Sequence, residues 1–229
     1  IFIYIYQPGF AMLALVAWST TGRTISTVGS SITTPPIALL DFDGTICDSE
    51  PELTRTAWRT ARELWPREMS AAAVLDPMDA GVRRAWVGGE WSELEGAGPD
   101  GLPHWLRQKV RMLRPAVQSS FESVLLMRLC ADEAVQSAGR ATGERPLAVG
   151  EITSNWGPEL RDVLLARYGL RREDAVAALA RERAAWLDSD PESWLAANSF
   201  YDGALTALRD AVADGSEVRR ARARAGCGG

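Results

Sequence analysis

The hydrophobic pattern of the chain changes period along its length. Ile37-Ala38-Leu39-Leu40 is a short unbroken apolar run that follows Pro35-Pro36 and ends in the polar, glycine-containing segment Asp41 to Thr45. Such a run, bounded by turn residues, predicts a strand covered on both faces, as in a parallel sheet. From Asp48 to about Asn198 the apolar residues recur at helical spacing instead. Leu53, Ala57, Ala61 and Leu64 make one stripe, with Trp58 and Trp65 beside it. Asp48-Ser49 supplies capping side chains for that helix, and Pro51 suits its first turn. Weaker helical stretches cover 80–87 and 103–113. The segment 116–138, rich in Val, Leu and Met, predicts a long helix, and 151–168 and 172–187 predict a pair separated by Gly169. Gly96 to Pro103 reads as a loop. Asn198 to Gly203 reads as a linker into a last helix, 204–213, which Asp214-Gly215 stops.

The two ends fit this pattern less well. Residues 1–18 are mostly apolar but are broken by Gln7, Pro8 and Gly9. Ten Ser or Thr residues follow between Ser19 and Thr34, and no acidic residue precedes Asp41. An acid-free, hydroxyl-rich segment has the flavour of an organelle transit peptide, although Arg23 is its one positive charge. Residues 1–36 are therefore expected to be a disordered or targeting leader, which leaves localisation open between cytoplasm and an organelle stroma. A membrane-spanning helix is not expected from so short and interrupted a run. At the other end an α/β domain should continue with another apolar strand. The sequence reads Ser216-Glu217-Val218-Arg219-Arg220-Ala221-Arg222-Ala223-Arg224 instead. Alternating arginines in a central strand would bury unpaired charge at several kcal/mol each. No further strand is expected there, and 218–229 reads as a frame-shifted or alternative end.

Composition narrows the function classes. The chain has 229 residues, 46% hydrophobic and 24% charged, as in an ordinary globular protein. A net charge of -5 gives no overall drive toward nucleic acid or an anionic membrane. The Arg219–Arg224 run has no interleaved aromatics and is a weak nucleic-acid signal. Cys47, Cys130 and Cys227 lie far apart, so neither a disulfide framework nor a cysteine metal cluster is expected. His104 is the one histidine, placed at a helix start as a surface or capping residue, and Lys109 is the one lysine. Most tryptophans fall in helical stretches and are expected in the core.

The segment that carries chemistry is the strand Ile37–Leu40 with Asp41-Phe42-Asp43-Gly44-Thr45 after it. In open parallel sheets ligands bind at the carboxyl ends of strands. Two carboxylates placed just past such an end can gather around a hard cation, and Gly44 allows a tight turn close to a ligand. A calcium loop is the competing reading, since Asp41, Asp43, Thr45 and Glu52 fall at its first, third, fifth and twelfth positions. Ile46 stands where that loop needs glycine, and Pro35-Pro36 opposes the helix that should lead into it. Cys47 stands beside the acidic pair, which disfavours its thiolate.

This motif resembles the first motif of the haloacid-dehalogenase-like (HAD) hydrolase superfamily. The extension Ile46-Cys47-Asp48-Ser49-Glu50-Pro51-Glu52 is similar to the helical-cap, phosphoglycolate-phosphatase-like subgroup. The resemblance implies an α/β fold: an incomplete Rossmann-like core, 37–50 with 198–229, and a large all-helical cap, 51–197, inserted after the first strand. It implies magnesium-dependent hydrolysis of a small phosphorylated metabolite, with no nucleic-acid or membrane partner. Asp41 would be the nucleophile and Asp43 the general acid/base. Mg²⁺ would sit on the Asp41 carboxylate and the Asp43 backbone carbonyl. Gly44, Thr45 and Glu50 would lie on the substrate side, and Tyr201-Asp202-Gly203 would return the chain to the core. The later motifs of the family are not found. Ser216 precedes the expected strand instead of ending it, Lys109 lies inside the cap, and Asp188-Ser189-Asp190 follows a helix and is expected to cap the next. The alternative is a catalytically incomplete HAD-like protein acting as a non-catalytic binding module.

Overall fold

Ile37–Leu40 is a strand, and strands pair with it on both sides. The computed structural model describes residues 2–6, 14–17, 37–40, 46–75, 96–138, 146–213 and 217–220, with side chains from 46 onward apart from 211, 212 and 217–220. The described chain is mostly helical with a minor sheet component. It divides into two compact units, 1–49 with 198–229, and 50–197. The expected helix over 80–87 lies outside the described residues.

The strand unit contains β1 (Phe2–Tyr6), β2 (Ala14–Ala17), β3 (Ile37–Leu40) and a late strand, β6 (Glu217–Arg220), in the order β2-β1-β3-β6. Three expectations are corrected here. Two segments of the supposed leader are strands, with Tyr4 opposite Leu39 and Tyr6 opposite Ile37. The sheet is mixed, because β1 runs antiparallel to β3 while β6 runs parallel to it. The arginine-bearing tail does supply a strand, with Ala38 opposite Val218 and Leu40 opposite Arg220. The argument against burying arginines holds for a central strand; β6 is at the edge, where charged residues are common because they block further pairing. The helical region therefore does not follow the first strand of the chain.

A second, two-residue ladder lies where the chain leaves for residues 50–197 and comes back. β4 (Cys47–Asp48) pairs antiparallel with β5 (Ser199–Phe200), and the Tyr201 N–H donates to the Ile46 carbonyl at 3.0 Å. Cys47 and Asn198 are buried beside this ladder, with Cys47 Sγ 4.0 Å from Asn198 Oδ1. The last helix of this unit, Asp202–Ala213, follows directly.

In the helical unit, α1 (Glu50–Leu64) begins immediately after Asp48-Ser49 and buries Leu53, Ala57, Trp58 and Ala61, the predicted stripe. α2 (Pro66–Ala73) starts on a proline, whose missing N–H costs nothing in a first turn. α3 (His104–Leu113) buries Trp105, Leu106, Val110 and Leu113. The expected long helix 116–138 is shorter. A 3₁₀ turn occupies Arg114–Ala116, and α4 (Glu122–Ala138) starts where the Glu122 carboxylate accepts the N–H groups of Gln118 and Ser119. α4 is buried on every side from Glu122 to Ala131 and is the centre of the unit.

The expected helix 151–168 is two helices, α5 (Val149–Asn155) and α6 (Pro158–Arg167). Gly157 between them is extended, as a residue before proline must be. α6 ends in a Schellman turn: Gly169, at φ +62, lets Leu170 N–H reach the Leu165 carbonyl at 2.9 Å. α7 (Arg172–Ser189) and α8 (Pro191–Ala196) complete the unit, and Asp190 caps α8 by accepting Ser193 N–H at 3.1 Å, as its sequence position predicts. One core joins α1 to α7, with the largest buried side chains including Trp58, Trp105, Met69, Leu126 and Met127. No described helix is long and apolar enough to cross a membrane.

Candidate functional site

The motif Asp41-Phe42-Asp43-Gly44-Thr45 follows directly on the carboxyl end of β3, and all five residues lie outside the described ones. The structure therefore fixes their approach and exit. The approach is a strand flanked on both sides in its sheet, parallel to β6, so the carboxyl ends of those two strands share one edge. The exit is the turn at Ile46, the β4–β5 ladder and the start of α1. Among the described residues no group of three or more His, Cys, Asp or Glu side chains could hold a metal ion.

Glu50, the predicted substrate-side residue that is described, is buried at the first turn of α1. Its carboxylate accepts the Thr54 hydroxyl at 2.6 Å and lies 3.8 Å from Arg111 Nε. Glu52, one turn in, is more deeply held. It takes Arg183 through two hydrogen bonds of 2.8 and 2.7 Å, the Thr56 hydroxyl at 2.8 Å and Trp194 Nε1 at 3.3 Å. A fork of this kind fixes α1 against α7 and α8, and it explains how a carboxylate tolerates burial.

Of the other residues singled out in the sequence, His104 opens α3, its ring close to Gly98. Lys109 is buried on α3 within the helical unit. Cys130 is fully buried in α4, where desolvation pushes its thiol pKa up. That is the behaviour of a packing residue and not of a nucleophile.

Set against protein-family models, curated proteins and solved structures, the chain matches none.

One polar cluster among the described residues was not anticipated. It centres on Asp100 in the loop between Gly96 and Pro103. The loop is closed by a bridge between Ala97 and Pro103. Asp100 is left-handed, at φ +63, between Gly96 and Gly101, which also have positive φ. A non-glycine residue there is uncommon, though aspartate tolerates it better than most. The compensation is visible. Arg55 Nε and Arg59 Nη2 donate to the Asp100 carboxylate at 3.0 and 2.7 Å. Trp58 Nε1 and Arg62 Nη1 donate to its backbone carbonyl at 3.0 and 3.1 Å. Partial burial pushes the Asp100 carboxyl up, but the hydrogen bonds from Arg59 and Arg55 outweigh it and hold the pKa below its ordinary value. Both guanidinium groups also lie over the Trp186 ring, 4.2 and 4.4 Å from its centroid.

The sequence did contain a trace of this cluster. Arg55, Arg59 and Arg62 repeat at helical spacing on a face of α1 distinct from the apolar stripe. Nothing local named their partner, which comes from a loop some forty residues away.

A second knot ties Arg128 of α4 to Asp132 at 2.8 Å and Glu68 at 3.2 Å, under the rings of Trp65 and Tyr168. Burial lowers the affinity of Arg128 for its proton, and the two carboxylates more than restore it. Tyr168, half-buried in the same knot and close to Asp132, has its phenol pushed up by desolvation and by that carboxylate.

Proposed function

We propose that this chain belongs to a magnesium-dependent phosphomonoester hydrolase of the HAD type, with Asp41 as nucleophile and Asp43 as general acid/base. The observation that carries the reading is the setting of the motif. A flanked strand, Ile37–Leu40, delivers Asp-x-Asp-Gly-Thr at its carboxyl end, and the chain then passes through a two-strand ladder into a helical unit and returns beside it. An incomplete Rossmann-like core with a helical cap is the finer fold statement that goes with this proposal.

The donor set suits the ion. The Asp41 carboxylate and the Asp43 backbone carbonyl are hard oxygen ligands of the kind magnesium takes, and the metal would supply charge neutralisation of the phosphoryl oxygens. The Asp41 carboxylate would attack phosphorus and form the aspartyl-phosphate, while Asp43 protonates the leaving oxygen and then takes a proton from the hydrolytic water. Gly44 and Thr45 would approach the phosphate. Glu50 would set the entrance to the helical unit, its carboxylate oriented by Thr54. Phosphoryl transfer is governed mainly by positioning and charge, so the later family motifs matter to rate. Lys109, the one lysine, is buried within the helical unit, which leaves phosphate neutralisation to arginine or to the metal.

The test is hydrolysis of p-nitrophenyl phosphate by the full chain with and without magnesium, alongside Asp41→Asn. Turnover that needs both magnesium and Asp41 supports the enzyme. Equal background for the two proteins overturns it and favours a non-catalytic binding module.

A further inference from the structure

We infer that the helical unit holds a phosphate-binding groove of its own, beside Arg62, independent of the Asp41 motif. The groove is open, about 260 Å³ in volume, and is lined by Arg59, Arg62, Glu63, Pro66 and Ser70. Its walls are the last turns of α1 and the first turns of α2.

The donor inventory shows why an anion fits. A guanidinium carries five N–H donors and no acceptor. Arg62 uses Nη1 on the Asp100 carbonyl at 3.1 Å and lies 5.8 Å from the centroid of the Trp58 ring. Among the described residues it has no carboxylate partner. Arg59 uses Nη2 on Asp100 at 2.7 Å and directs Nη1 toward Glu182 at 3.6 Å. Both guanidinium groups therefore line the groove with donors to spare, and they are held in place by Asp100 and the two tryptophan rings beneath them. Preorganised, planar, forked donors are what recognise a phosphate oxyanion. The one acidic group in the lining, Glu63, is already paired with Arg181 Nη2 at 2.9 Å. Ser70 adds a hydroxyl, and Pro66 sets the start of α2, whose first turn favours negative charge.

The ligand class is a single phosphate group, either free or as the monoester end of a small metabolite. A long polyanion is disfavoured because the groove is small and Glu63 is part of its lining.

The experiment is calorimetric titration of the full chain in EDTA, so that no magnesium serves the Asp41 motif, at low ionic strength with inorganic phosphate and, separately, with glycerol 2-phosphate, against matched sodium chloride. Saturable binding of at least one is expected, and the tighter arm identifies the free or the esterified source. Arg62→Gln should weaken binding about tenfold or more. Ser70→Asp should remove it, and Arg167→Gln, at an exposed arginine of α6 outside the groove, should leave it within about twofold. Both groove positions are exposed, so both variants should keep the circular dichroism of the parent. Absence of saturable binding in both arms, binding that survives either groove substitution, or binding lost equally in Arg167→Gln would each overturn the proposal.

Discussion

The two units of this chain differ in what holds them. Residues 50–197 have a continuous core from α1 to α7 and charged knots that include those at Glu52, Asp100, Glu122 and Arg128. The strand unit is built on backbone pairing, and among its residues with described side chains Cys47 is the one buried apolar group. The candidate nucleophile belongs to the second kind of structure, and the durable packing belongs to the first. The contrast predicts that the proposed chemistry and the stability can be perturbed separately, because the motif residues are not among those that build the helical core.

The largest expected effect tests the chemistry alone. Asp41→Asn should lower magnesium-dependent turnover by on the order of 10⁴-fold or more, the scale seen when a covalent nucleophile is removed. Its thermal unfolding should be unchanged, since the main core cluster of the helical unit is built from residues between Leu53 and Leu179. A shift in melting temperature as large as that of a core variant would break the separation.

Core damage comes next. Trp58 is 1% exposed, sits in the main cluster and donates Nε1 to Asp100. Trp58→Ala should cost about 3–5 kcal/mol in denaturant unfolding, from the lost burial and the cavity left behind. Glu122→Gln should cost somewhat less, about 2–3 kcal/mol. It keeps the shape but weakens acceptance from Arg161, Trp156 Nε1 and the two N–H groups that start α4. Loss of helical signal confined to the first turns of α4 and α6, followed by amide exchange, would locate the effect.

The smallest expected effect sharpens the view of Asp100. Asn tolerates the left-handed backbone, so Asp100→Asn removes charge without adding strain. A cost of about 1–2 kcal/mol at neutral pH is expected, as for a charge-assisted hydrogen bond partly screened by solvent. The sign with pH follows from the direction of the shift. The folded-state pKa of Asp100 is lowered, so its contribution is fully present above the unfolded value of roughly 3.9 and fades as pH falls through the folded value. Parent and variant should therefore converge in melting temperature below about pH 4. A gap that persists unchanged into acid would mean that the charge is not what holds the loop.

Much of the helical unit is legible in local sequence. The stripe Leu53, Ala57, Ala61 with Trp58 predicts both α1 and its buried face, because a helix must turn its apolar side inward to be stable at all. The strand Ile37–Leu40 is legible for the same kind of reason. The break at Gly157-Pro158 is missed, because apolar periodicity reads across it; the Gly-Pro pair is the local signal that could have found it. The candidate site is legible only as a motif: Asp41, Asp43, Gly44 and Thr45 lie outside the described residues, while Glu50 is placed and engaged with Thr54 and Arg111.

What the sequence by itself determined is the strand Ile37–Leu40, the buried stripe of α1, the approximate place of the longer helices and a single candidate catalytic segment, since propensity, capping and apolar spacing act within a few residues. Tertiary structure alone decided the partners: Glu217–Arg220 beside Ile37–Leu40, Phe2–Tyr6 on its other side, Asp100 beneath three arginines of α1, and Arg183 on Glu52. These pairings join residues far apart in the chain. Their free energy comes from desolvating charges and closing ladders in three dimensions, and no local pattern encodes which distant group will be there to accept.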